Sequence, residues 1–157
     1  MSEMTRSVET LIQPTTLALL GGPPVVLKST RKRSAADEEV RLPRSFRLKY
    51  AAVENLGKFL GESAFRLMRI IESNARTAQR RKEQGTLTAD ESDRIARIAR
   101  VIQRAIEAFG DKGQAREWIK RPNRTLQGFA PLWLLSTDAG AALVTDELGR
   151  IEYGDLY

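Results

Sequence analysis

The chain has 157 residues, of which 41% are hydrophobic, enough for one domain or two very small ones with a real core. It contains no cysteine and no histidine, which excludes disulfides, thiolate metal sites, cysteine nucleophiles and the commonest general base, and suits a reducing cytoplasm. The formal charge of +6 is concentrated: residues 44–84 hold ten basic and four acidic side chains, against six and five in 1–43 and ten and eleven in 85–157. Such a block raises the local concentration of a polyanion, so nucleic acid is its natural partner, the alternative being an ordinary solvated face.

In chain order, residues 1–43 read as an irregular arm. The apolar stretch from Leu11 to Leu27 is broken by Pro14, Gly21, Gly22, Pro23 and Pro24 well short of a membrane span. Leu17–Leu20 and Val25–Leu27 are patches able to dock on the body as a short strand or turn, and Lys28, Arg31, Lys32 and Arg33 offer a basic cluster. The spacing of Phe46, Tyr50, Val53, Leu56 and Phe59 predicts a helix from about Arg47 to Leu60, ended by Gly61. Ser63 can cap a short helix with a Phe65, Met68, Ile71 stripe and Leu67 and Ile70 beside it. Asn74 can cap a third helix, ARTAQRRKEQ, whose only apolar residues are alanines and which Gly85 stops.

Thr88-Ala-Asp-Glu91 is a capping box opening the clearest helix of the chain, Ala89 to Phe109. Ile95, Ile98, Ile102, Ile106 and Phe109 form its apolar stripe, and Arg94, Arg97, Arg100 and Arg104 its other side. Shorter helices follow: Gln114–Lys120 with Trp118 and Ile119, then one led by Pro131 with Trp133 as a packing residue. The last is capped by Ser136 or Thr137, with Leu143, Val144, Leu148 and Ile151 facing inward. Tyr153 to Tyr157 reads as a short free tail.

Two constellations carry function. Two short helices joined by a tight turn, the second polar and basic, make a helix-turn-helix whose second member offers Asn74, Arg76, Thr77, Gln79, Arg80, Arg81 and Lys82 to DNA. Arg can bridge the acceptors of a guanine edge, Gln and Asn those of adenine, and Thr or Lys can hold phosphates. The bland alternative is a helix solvated all round, and Glu72 at the turn opposes phosphate. The second constellation is the ordered set Ala115, Trp118, Pro122, Asn123, Leu126, Gly128, Pro131, Leu132, Leu134, Leu135, Thr137, Gly140, Leu148, Gly149, Arg150, Ile151, Tyr153 and Gly154.

With the link Gly85 to Arg94, this set resembles the MbcA/ParS/Xre antitoxin family over roughly residues 44–157. Gln127 stands where that family often has Gly, Ala130 where it has a capping Ser or Thr, and Glu147 where many members carry Leu. The resemblance implies an all-α, cytoplasmic bacterial protein without cofactor or catalytic role. Its implied parts are the arm (1–43), an Xre-like helix-turn-helix for DNA binding and dimerisation (44–110), and a small helical toxin-binding domain (111–157). It implies neutralisation of a RES-type, NAD-consuming or ADP-ribosylating toxin by a C-terminal plug, Arg150, Ile151, Glu152, Tyr153, Gly154, Asp155, Leu156 and Tyr157, with autorepression at operator DNA as a homodimer. The alternative is a DNA-binding regulator whose C-terminal module only mediates oligomerisation. An enzyme using Glu117 or Glu152 as base finds no paired nucleophile.

Overall fold

The computed structural model describes residues 14–21, 25–26, 46–71 and 74–154, and among these the chain is a helical assembly wrapped around one long central helix. The arm contributes two docked pieces. Helix α1, Pro14–Leu20, buries Thr16 and Leu20, and the Leu20 carbonyl accepts a hydrogen bond from Asn55 Nδ2 at 3.5 Å. Strand β1, Val25–Val26, pairs antiparallel with β2, Phe46–Arg47, Val26 opposite Phe46. Val25–Val26 forms the expected short strand, whereas Leu17–Leu20, expected to dock as a strand or turn of an irregular arm, lies in a helix that Pro14 opens and Gly21 follows; Leu27 and the basic cluster Lys28, Arg31, Lys32 and Arg33 lie outside the described residues.

Helix α2, Tyr50–Leu60, starts three residues later than its apolar spacing predicts, because Phe46–Arg47 is drawn into the strand pair. Gly61 ends it in the left-handed conformation at φ 69°. Gly57, inside the helix, is required by a close approach: a Cβ there would sit 2.6 Å from the Glu62 carbonyl oxygen. Helix α3, Ala64–Ile70, is capped by Ser63, whose Oγ accepts from Arg66 N at 3.1 Å. Its buried face is Leu67, Met68, Ile70 and Ile71, and Phe65 stays 46% exposed. The expected stripe therefore holds at Met68 and Ile71, with Leu67 and Ile70 beside it, and fails only at Phe65.

Helix α4, Ala75–Gln84, runs to Gly85 as its residues predict, with Ala78 its one buried side chain. The central helix α5, Ala89–Phe109, opens on the complete Thr88–Glu91 capping box. Ile95, Ile98 and Ile102 are fully buried in one continuous core to which nearly every described helix contributes. Over 21 residues this helix is about 31 Å long at 1.5 Å per residue.

Helix α6, Lys112–Lys120, begins before the predicted Gln114 because Asp111 Oδ1 accepts from Gln114 N at 2.7 Å and extends the first turn. Ile119 is fully buried, while Trp118 is half-buried with its ring centroid 5.7 Å from that of Phe109. After a 3-10 turn at Arg124–Leu126, Gln127 takes the left-handed conformation at φ 56°. The turn is kept without the family's glycine, at the steric disadvantage that a Cβ brings there. Helix α7, Pro131–Leu134, has no side-chain cap at Ala130. Helix α8, Asp138–Tyr153, is capped by Thr137, whose Oγ1 accepts from Gly140 N at 3.1 Å. Gly140 allows α7 and α8 to meet, because a Cβ would overlap the Leu134 carbonyl oxygen. No described helix is long and apolar enough to cross a membrane.

Candidate functional site

The basic surface is built on α3 and α4. Asn74 Oδ1 accepts from Thr77 N at 2.8 Å, so the Asn74 side chain is committed to starting α4, and Thr77 is half-buried behind it. Arg76, Arg80 and Lys82 are exposed and have no carboxylate in ion-pair range among the described residues. Gln79 is exposed too, with its Nε2 donating to Glu83 Oε1 at 2.9 Å.

Arg81 differs from the other six residues grouped with it from sequence. Its Nε donates to Glu91 Oε2 at 2.7 Å and its Nη1 to Gln84 Oε1 at 2.8 Å. The same Glu91 oxygen accepts from Thr88 N at 2.8 Å, so Arg81 fastens α4 to the capping box of α5, with both side chains of the pair mostly buried. Arg81, expected among the DNA-facing residues, is thus engaged with the body while Arg80 beside it stays open to solvent. The signal for it lay ten residues away, in a carboxylate already assigned to capping.

The second surface is the carboxy-terminal end of α8. The helix continues through Tyr153 and stops at Gly154, φ 65°, whose N–H returns to the Arg150 carbonyl. Tyr153 therefore ends a helix and does not begin a free tail. Arg150 Nη1 donates to Glu147 Oε2 at 3.2 Å, and Glu147 is buried where the family often has Leu. Glu152 pairs with Arg104 of α5, and that hydrogen bond holds the Arg104 guanidinium above its ordinary range. Ile151 is half-buried, whereas Tyr153 is 81% exposed. Of the eight plug positions, then, Glu152 and Ile151 are tied to the helical body, Arg150 is exposed with its Nη1 on Glu147, Gly154 is the stop, and Tyr153 projects furthest; Asp155, Leu156 and Tyr157 lie outside the described residues.

Two packing expectations fail on this side. Leu143, expected inward, is 57% exposed, because Val144, Glu147 and Leu148 form the buried face of α8. Trp133 is 47% exposed and lies under the Arg66 guanidinium, 5.5 Å from the ring centroid, a cation–π contact between α7 and α3. Sequence reasoning missed this pair, since the partners are far apart in the chain. Arg97 of α5 bridges similarly, donating to the Ser136 carbonyl at 3.3 Å and meeting Asp138 at 2.5 Å. Among the described residues no acidic cluster could hold a metal ion.

Residues 41–100 match the sequence model of the antitoxin Xre-like helix-turn-helix domain, and residues 104–154 that of the antitoxin Xre/MbcA/ParS C-terminal toxin-binding domain. The chain carries both domains of the Xre/MbcA/ParS antitoxin family. The first is a helix-turn-helix domain model and the second a toxin-binding one. The two matches meet inside α5, so the basic surface and the α8 surface share one helix. Three curated proteins named Antitoxin Xre are similar. One from Photorhabdus laumondii is 44% identical over 90 residues, covering 56% of this chain and 61% of the relative. One from Yersinia enterocolitica is 44% identical over 77 residues, covering 48% and 52%. One from Pseudomonas putida is 37% identical over 68 residues, covering 43% of each. The chain thus spans between 43% and 61% of the length of these relatives.

Proposed function

We propose that this chain is the antitoxin of a type II toxin–antitoxin pair. Its toxin is of the RES type, an NAD-consuming or ADP-ribosylating enzyme. The carboxy-terminal end of α8 enters that enzyme's catalytic cleft, and the helix-turn-helix represses the shared operon, with the protein acting as a cytoplasmic homodimer. The observation that carries the reading is Tyr153, a large amphipathic ring projecting at 81% exposure from a capped helix end in a domain matching the toxin-binding model. Tyrosine is among the preferred anchors of interfaces, combining large contact area with few rotatable bonds. Arg150 stands on the same exposed face one turn earlier and supplies a fork suited to carboxylate or phosphate. Asp155 supplies a carboxylate for the cationic groups that receive the phosphates of NAD, Gly154, Leu156 and Tyr157 complete the inserted segment, and Ile151 and Glu152 seat its base on the helical body.

On the other surface, Arg76, Gln79, Arg80 and Lys82 face the DNA, with Asn74 and Thr77 setting the start of the recognition helix and Arg81 its attachment to α5. The test is co-expression with the product of the adjacent gene. The wild-type chain should restore growth and co-purify with that product in an inactive complex. Truncation after Gly149 removes the half-buried Ile151 and the Arg104 partner along with the plug, so Tyr153→Ala is the cleaner variant. A fully inhibited toxin in the presence of Tyr153→Ala would dismiss the plug.

A further inference from the structure

We propose a second phosphate-gripping surface, formed by Arg47 and Lys49 in front of α2 together with Lys82 near the end of α4, that holds the backbone of duplex DNA beside the groove entered by α4. The proposal rests on reading α4 as the DNA-contacting helix and adds to it a contact blind to base sequence. Residues 46–49 form an extended segment leading into α2, with Leu48 and the first helical residue, Tyr50, buried and Arg47 and Lys49 exposed. Alternation along an extended chain puts both cations on one face, away from the core.

The backbone of this segment is fastened to the residues that close α4. Tyr50 N donates to the Gly85 carbonyl at 2.9 Å, Leu87 N to the Leu48 carbonyl at 2.9 Å, and Lys49 pairs with Thr86 in an antiparallel bridge. Leu48 N donates in turn to the buried Ser92 Oγ at 2.9 Å, and that hydroxyl donates to the Thr88 carbonyl at 2.6 Å. Lys82 lies one turn before this seam, its carbonyl accepting from Gly85 N at 3.3 Å. Two exposed cations on a pinned backbone thus abut the C-terminal end of the basic helix.

Counter-charge separates these cations from several of the carboxy-terminal half, although Lys112 and Arg124 there are unpaired among the described residues too. Arg116, Lys120 and Arg121 share Glu117, and Arg150 has Glu147. Arg47, Lys49 and Lys82 have no carboxylate in range among the described residues. The acids on adjoining elements are Glu54 of α2, Glu83 of α4, which engages Gln79, and Asp90, Glu91 and Asp93 of α5, of which Glu91 is held by Arg81 and the Thr88 N–H. Unneutralised cations held in place release the condensed counterions of DNA on contact, and each contact steepens the salt dependence of binding by about 0.9 in log–log slope.

The experiment measures binding of the full chain, across a salt series, to a duplex from upstream of its own reading frame and to an unrelated duplex of equal length. The double variant Arg47→Gln/Lys49→Gln should weaken both duplexes by the same factor and lower the slope by about two, leaving the ratio of the two affinities unchanged. The charge-keeping variant Arg47→Lys/Lys49→Arg should retain the wild-type slope, and Arg80→Gln should reduce the ratio. An unchanged slope in the glutamine double variant, with Arg80→Gln still impaired, overturns this surface and leaves the α4 reading standing. A wild-type chain that binds neither duplex overturns both.

Discussion

At the scale of single residues, adjacent arginines on one basic helix divide the labour. Arg80 is open to solvent, whereas Arg81 holds the Glu91 carboxylate that also caps α5. Arg81→Ala should therefore lower stability by about 1.5–3 kcal/mol, the range for a hydrogen bond to a charged group that leaves a partly buried partner behind. Arg80→Ala should leave the thermal midpoint alone and weaken DNA binding. Thermal unfolding and a binding isotherm on each variant separate the two; equal midpoints for both variants would contradict the anchoring role. At the other surface, Tyr153→Ala should weaken the toxin complex by about 2 kcal/mol or more, roughly thirtyfold, as loss of an interface anchor does. Calorimetric titration of the variant against purified toxin reads that directly.

At the scale of elements, boundaries were legible wherever a single residue makes or breaks hydrogen bonds locally. Ser63, Asn74, Thr88 and Thr137 cap as their types predict, and Gly61, Gly85 and Gly110 stop their helices in the left-handed conformation. What was not legible depends on partners distant in the chain. Strand β2 displaced the start of α2 because Val25–Val26 pairs with it, and Leu143 points outward because the face of α8 is chosen by Val144 and Leu148. The projection of Tyr153 is half legible: the aromatic residue stands out, but the helix carrying it runs on to its Gly154 stop, where the residues alone read as tail. Gly140 makes the element scale testable. Gly140→Ala would drive a methyl group into the Leu134 carbonyl, and overpacking of this kind costs about 1–3 kcal/mol. A lowered urea midpoint with unchanged slope is the expected outcome, and an unaltered midpoint would show that α7 and α8 can separate freely.

At the scale of the whole molecule, the two family domains share α5, and a single core runs along it from the helix-turn-helix to the toxin-binding end. Both tryptophans, Trp118 and Trp133, belong to the carboxy-terminal part, whereas helical circular dichroism reports on the entire chain. The two signals should trace one coincident unfolding curve, as a cooperative unit requires; separated midpoints would mean that the modules melt independently. The shared helix also acts as a spindle. Each residue of an α-helix advances its far end by about 1.5 Å and turns it by about 100°. Whatever is gripped at one end of α5 is accordingly borne at a set height and azimuth from whatever is gripped at the other. A toxin captured by this chain would ride along a promoter in fixed phase with the double helix, and the placement of binding sites on the DNA would then dictate whether neighbouring toxins face one another or point apart.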